Sequence, residues 1–371
     1  MNRRDSVLAL LALGVVAALL DAEAQPPGKK VRIGVLSQGF PDPPPGLPLI
    51  QPLRALGWVE GQNLVFESRF DEGRPDRLPN LAAELVGRNV DVIFTRGTPA
   101  TLAAKATTAT IPIVMIFVAN PVRSQLVASL ARPGGNITGT ANLAADIFGK
   151  QLQLLKEIVP GASTVGVLFD PLNSAQTDQL DNELAAAAAV LAVKLLPFKV
   201  YASSALEAVF AEARRTRADA LVVFPLSTGA DVGRAVADLA IKHRVPTITT
   251  FRAYTDQGVL ASFSGSLDEQ YQRAAAHIDK ILRGARPADL PVEQPTKFDF
   301  VINLKTAKAL GLTIPQSLLL RADEVIQWCS VRKPPARRRD EEPRFADPAR
   351  PCRRHFSDAA RCSGSDADQS V

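Results

Sequence analysis

The sequence predicts an α/β protein of two lobes, each a parallel sheet with helices on both faces. Three observations predict it. Short apolar runs rich in β-branched residues recur along the chain. Amphipathic Ala/Leu-rich stretches separate them. The alternation runs through about ten units, more than one sheet comfortably holds.

The runs that read as buried parallel strands are Val31–Leu36, Asp91–Thr95, Ile113–Phe117, Thr164–Phe169, Ala220–Phe224 and Thr247–Thr250. Continuous apolar character is what a strand covered on both faces requires. The helical stretches are Arg77–Arg88, Pro99–Thr107, Phe148–Val159, Asp178–Leu191, Ala205–Arg217 and Val232–His243. The break between lobes is expected near Asn136–Thr140, a short β-branched segment after the turn Arg132–Gly135.

The ends differ from the body. Arg3 and Arg4 precede the uncharged apolar run Val7–Leu20, and Ala22-Glu23-Ala24 follows it. Residues 1–24 therefore read as a signal peptide cleaved before Gln25, and the chain is expected to be periplasmic. The run is shorter than the roughly 20 residues a spanning helix needs. From Trp328 the composition turns to Arg, Pro, Asp and Ser, so residues 328–371 are expected to be disordered. Cys329, Cys352 and Cys362 all lie there, which leaves the folded body without disulfides or thiol chemistry. The net charge is +5, of which the tail carries +3 and the body +3 against −1 in the leader. A body so weakly charged has no nucleic-acid footprint.

Signatures of catalysis are scarce. The sequence has no phosphate loop, no GxGxxG after a strand, no HExxH, no CxxC and no GxSxG. His243, His277 and His355 lie far apart. No cofactor is expected and no enzyme is read. In open α/β sheets ligands bind beyond the carboxyl ends of the strands. Applied here, that rule selects Ser37 and Gln38, Gly97 and Thr98, Asn120, Asn173 and Ser174, Ser227, and Phe251 with Tyr254 as candidate ligand-binding residues. Several also read as helix starts: Thr98-Pro99 and Asn120-Pro121 are ordinary capping pairs. Capping and binding are compatible, because a helix start presents free N–H groups to an anion such as a carboxylate. Nearby aromatics, including Phe40, Phe117, Phe169, Phe224 and Phe263, read mostly as core.

The segments Arg32–Ser37, Gly61–Leu64, Asp76–Pro79 and Leu126–Asn136, and above all Asp289–Phe298 with Val301–Leu312, resemble the ABC-transporter substrate-binding proteins whose members bind tryptophan or tyrosine. The resemblance spans about residues 31–327. It implies a type I periplasmic binding fold with three crossovers, near Thr138–Thr140, Leu260–Ser264 and Pro295–Phe300. It places residues 31–138 plus 262–294 in an N-terminal lobe and residues 139–261 plus 295–327 in a C-terminal lobe. It implies a monomer that carries a small molecule, an amino acid or related carboxylate, to an ABC permease in the inner membrane. Two departures stand out: the proline-rich stretch between Gly39 and Leu56, where a shortened first helix is expected, and Asn120, where the family often has Asp. Two other functions share the scaffold: a sensor subunit that signals to a membrane protein, and a periplasmic enzyme, which a buried acid or base with a perturbed pKa would favour.

Overall fold

The computed structural model describes residues 30–41, 46–142, 144–226, 231–327 and 352–355. The first sheet holds β1 (Val31–Ser37), β2 (Leu64–Phe70), β3 (Val92–Arg96), β4 (Ile113–Val118) and β5 (Ile137–Ala141) in the order β2-β1-β3-β4-β5, with every pair parallel. Three helices connect these strands: α1 (Ile50–Ala55), α2 (Leu78–Gly87) and α3 (Thr98–Thr107). The short α1, with Pro52 inside it, is the shortened first helix that the prolines predict.

The second sheet contains β6 (Thr164–Phe169), β7 (Lys194–Lys199), β8 (Ala220–Val223), β9 (Thr247–Thr249), β10 (Ala261–Gly265), β11 (Phe298–Asn303), β12 (Glu324–Gln327) and β13 (Cys352–His355). Their order is β13-β12-β11-β10-β9-β8-β6-β7, parallel except at β10–β11 and β12–β13. Helix α4 (Ala144–Ile158) opens this lobe. After β6, α5 (Ser174–Asp178) runs through a π-helical segment (Gln179–Leu184) into α6 (Ala185–Val190). Then come α7 (Leu206–Arg215), α8 (Val232–His243), α9 (Arg252–Asp256), α10 (Leu267–Leu282), α11 (Leu304–Ala309) and α12 (Gln316–Arg321).

Each sheet is covered on both faces. In the first lobe one apolar cluster gathers Leu81, Leu85, Ile93 and Met115 beneath α2 and α3, and another gathers Ile33, Phe94, Tyr271 and Ile278 beneath α1 and α10. Phe148, Leu155, Val167 and Val222 on one face, and Phe210, Leu221, Val223 and Val236 on the other, do the same for the second lobe. Gly139 marks where β5 presses on β4: its φ is +130°, and a Cβ there would lie 2.1 Å from the Met115 carbonyl oxygen.

The crossovers sit a few residues from where the sequence placed them. β5 pairs with β4 through Ala141, so the first lobe extends beyond Thr138. β10 pairs with β9 and β11, which moves residues 262–265 into the second lobe. The chain then crosses at Gly265–Ser266, and α10 packs on the first sheet. The tail also departs from expectation: Cys352–His355, read as disordered, forms a strand antiparallel to β12. The rest of 328–371, and the leader 1–24, lie outside the described residues.

Candidate functional site

Beyond the carboxyl ends of β1, β2, β3 and β4 in one lobe, and of β6, β8 and β9 in the other, two polar walls approach each other. Arg123, in the loop after β4, reaches Asp178 of α5 at 3.5 Å across the gap. Asp71, just after β2, and Asp170, just after β6, are close enough to repel electrostatically.

Asp71 is fully buried. Its Oδ1 accepts the Gly39 N–H at 2.7 Å and the Gly73 N–H at 3.1 Å, while Oδ2 has no partner. The two bonds hold the carboxylate in a tight turn in which Glu72 and Gly73 both take positive φ. Burial pushes the carboxyl pKa up, and the Asp170 charge adds to this. The Gly39 and Gly73 amides and Arg77 oppose the rise without cancelling it. Asp170 is 3% exposed, and its Oδ1 accepts the Leu172 N–H at 2.9 Å. Gln176 braces the same loop, accepting the Asp170 N–H at 2.9 Å and donating to the Pro225 carbonyl at 2.6 Å. Asn173 is 9% exposed, and its Oδ1 is a second buried acceptor without a partner.

The first lobe's wall also carries a cation and aromatics. Arg96 donates to Ser37 Oγ at 2.8 Å and to the Tyr271 hydroxyl at 3.2 Å, and lies 5.8 Å from the Phe70 ring centre. Phe117 takes a φ of +58°, unusual for a bulky residue, and sets its ring edge-on to Tyr271 at 6.1 Å.

The residues selected from sequence divide into three groups. Asn173 faces the gap with an open acceptor, and Ser174 beside it is exposed at the first position of α5. Phe251 is 37% exposed and stands edge-on to Tyr254 at 5.3 Å. The others near the gap shape its wall. Ser37 is buried between Arg96 and the Gln38 carbonyl. Gln38 lies over Gly97, where a Cβ would come within 3.1 Å of its Oε1. Thr98 is not the N-cap that the sequence suggests. Gly97 holds that position, and Thr98 Oγ1 instead accepts the Ala119 N–H at 3.4 Å. Asn120 is exposed and closes its own turn by accepting the Arg123 N–H at 3.0 Å. Tyr254 belongs to the second lobe's core. It is 4% exposed, and its hydroxyl accepts the Leu226 N–H at 2.8 Å and donates to the Leu226 carbonyl at 3.1 Å. Ser227 lies outside the described residues.

Sequence reading missed Asp71, Asp170, Arg96 and Gln176. Asp170 directly follows an apolar run and was within its reach. Asp71 was not, because β2 is a half-exposed edge strand without a continuous apolar run.

The model of the ABC transporter substrate binding protein family matches residues 48–326. This chain belongs to that family. The family's members are binding proteins, and two of the solved structures it resembles cover the same two lobes. One is a conserved domain protein from Vibrio cholerae, with a TM-score of 0.74 and 29% identity over 80% of this chain and 100% of that one. The other is a Streptococcus pneumoniae domain in complex with L-Trp, with a TM-score of 0.71 and 26% identity over 80% of this chain and 100% of that one. A tyrosine-binding protein of Clostridioides difficile is 25% identical over 268 residues, 71% of this chain and 75% of the relative.

Proposed function

We propose that this substrate-binding protein is the extracytoplasmic receptor of an ABC importer, and that it closes its two lobes on a small amino-acid-type ligand for delivery to a membrane permease. One observation carries the reading: the opposed walls each hold a buried hydrogen-bond acceptor without a partner, Asp71 Oδ2 and Asn173 Oδ1. Leaving such groups bare costs about 1–3 kcal/mol each, more for a charge, so the closed gap favours an occupant that donates to them. Phe117, Tyr271 and Phe70 supply an aromatic flank beside it, and the tryptophan- and tyrosine-binding relatives support a ligand of matching character. The N-terminal leader supports export.

A buried carboxyl with a raised pKa is also what an enzyme uses, but its surroundings favour binding. His243 bonds Glu207, and His277 bonds the Arg273 and Pro291 carbonyls, so neither of these serves as a base for Asp71 or Ser37. The test is a thermal-shift screen of the mature chain against the twenty amino acids, a set of amines and a set of sugars. A ligand at 100 times its Kd adds about 2.7 kcal/mol to the stability of the folded protein. The expected result is a clear shift with tyrosine or tryptophan. No shift from any compound would refute the receptor reading.

A further inference from the structure

We propose that the outer edge of β12 is a strand-acceptor site, that the chain's own segment Cys352–His355 keeps it filled, and that vacating it lets a second copy of the chain pair there. The proposal is independent of the receptor reading. The family match ends at residue 326, before the segment that fills the edge.

A sheet edge presents a row of backbone N–H and C=O groups to any extended chain, and a monomeric protein blunts each such edge. The outermost strands here are β2 and β5 in the first sheet and β7 and β13 in the second. β2 carries Glu67 and Arg69, paired with Arg32 and Glu84. β5 is covered by the chain just before the third crossover: the Ala141 N–H donates to the Glu293 carbonyl, and the Glu293 N–H to the Gly139 carbonyl, both at 2.9 Å. β7 has Pro197 inside it and a lysine at each end, Lys194 and Lys199. β12 carries no proline and no basic residue. Its sequence is Glu324-Val325-Ile326-Gln327, and Val325 and Ile326, on opposite faces, are both buried. It has the character of a central strand, which needs a ladder on each side. β11 supplies one. Cys352–His355 supplies the other, antiparallel, with Gln327 opposite Cys352 and Glu324 opposite His355. That strand puts Arg353 and Arg354 at the new margin of the sheet, where charge discourages further pairing. The cap spans only four residues and returns to β12 through residues 328–351. So short a ladder is weakly held, because closing the connection costs entropy that few backbone bonds offset. With the cap lifted, the edge beside Val325 and Ile326 is open. The β12 of a second copy, running antiparallel, then takes the same place and gives a closed two-fold pair.

The experiment combines sedimentation velocity over a range of concentrations with amide hydrogen exchange, on the full mature chain under reducing conditions. Wild-type protein is expected to sediment as a monomer, with the outward amides of Glu324–Gln327 protected. This measurement needs no variant. Arg353→Pro combined with Arg354→Pro removes two adjacent N–H groups, one of which faces β12 whichever way the antiparallel ladder is phased. In dilute solution the double variant is expected to exchange the outward β12 amides at least about tenfold faster than wild type. As its concentration rises it should dimerise, and the same amides should recover their protection. Outward β12 amides that exchange in wild type as freely as in the double variant overturn the proposal. So does a wild type that is already a dimer, or a variant that stays monomeric at every concentration. A dimer that leaves the β12 amides open has formed elsewhere and overturns it as well. None of these results touches the receptor reading, which the ligand screen tests separately.

Discussion

Individual side chains at the gap are decided by which of their polar atoms are already taken. Ser37 at the end of β1, Thr98 at the start of α3 and Tyr254 in α9 all follow strand ends, yet each is bonded to its own lobe. Tyr254 shows the consequence most directly. Burial pushes its hydroxyl pKa up, and the group both accepts from and donates to the Leu226 backbone. Tyr254→Phe removes a partner from two buried backbone groups and is expected to cost about 1–3 kcal/mol in urea unfolding. If unfolding is unchanged and only ligand affinity drops, Tyr254 belongs to the binding surface after all. Asp71 makes the opposite case. Its raised pKa means that folding makes the carboxyl harder to ionise than it is in the unfolded chain. The ionised form therefore destabilises the empty protein as pH rises through the interval above the ordinary carboxylate value.

Among the elements, α10 joins the lobes mechanically. Glu269, Arg273 and His277 recur every four residues along one of its faces. Glu269 accepts from Thr296 Oγ1 at 2.6 Å and from the Thr296 and Lys297 amides at 3.0 Å. Arg273 pairs with Glu269 and Glu293, and His277 meets the Pro291 carbonyl at 3.1 Å. The third crossover is thus gripped at three heights. Burial alone would raise the Glu269 carboxyl, but the hydrogen bonds from Thr296, Arg273 and the two amides hold it at about 2. A depressed carboxylate contributes stability above its unfolded pKa of about 4.3, and that contribution is lost as pH falls through about 2. Glu269→Gln should therefore lower the melting temperature at pH 7 and make little difference near pH 2. A constant deficit across that range would mean that the clamp is steric and carries no charge-dependent part.

For the whole molecule, the relevant variable is the separation of the lobes. Arg123 and Asp178 tie them at the rim, each about half exposed. Burial pushes the nearby Glu183 carboxyl up, with Arg123 opposing the rise. An exposed pair contributes about 0.2–1 kcal/mol, so Arg123→Ala is expected to weaken ligand binding by up to about fivefold, chiefly through faster release. The difference should fade at about 1 M salt, where screening acts over roughly 3 Å. Small-angle scattering should also show a smaller radius of gyration with ligand than without. An unchanged radius would mean that the lobes do not move on binding.

The α/β class, the two sheets and most of the buried strands were legible in the sequence, because continuous runs such as Ile113–Val118 and Ala220–Val223 have only one comfortable place in a parallel sheet. The gap between the lobes lies beyond the strand ends, where the rule for open α/β sheets looks for a ligand. Only the tertiary structure decided that α10 leaves β10 to cover the other lobe, that Cys352–His355 extends the second sheet, and that Asp71 and Asp170 oppose each other. Burial of apolar residues is written locally, as a period along the chain. Satisfaction of a polar atom depends on what arrives from a hundred residues away, so Ser37 and Asp71, both polar groups at strand ends, could be told apart only by their partners in the folded molecule.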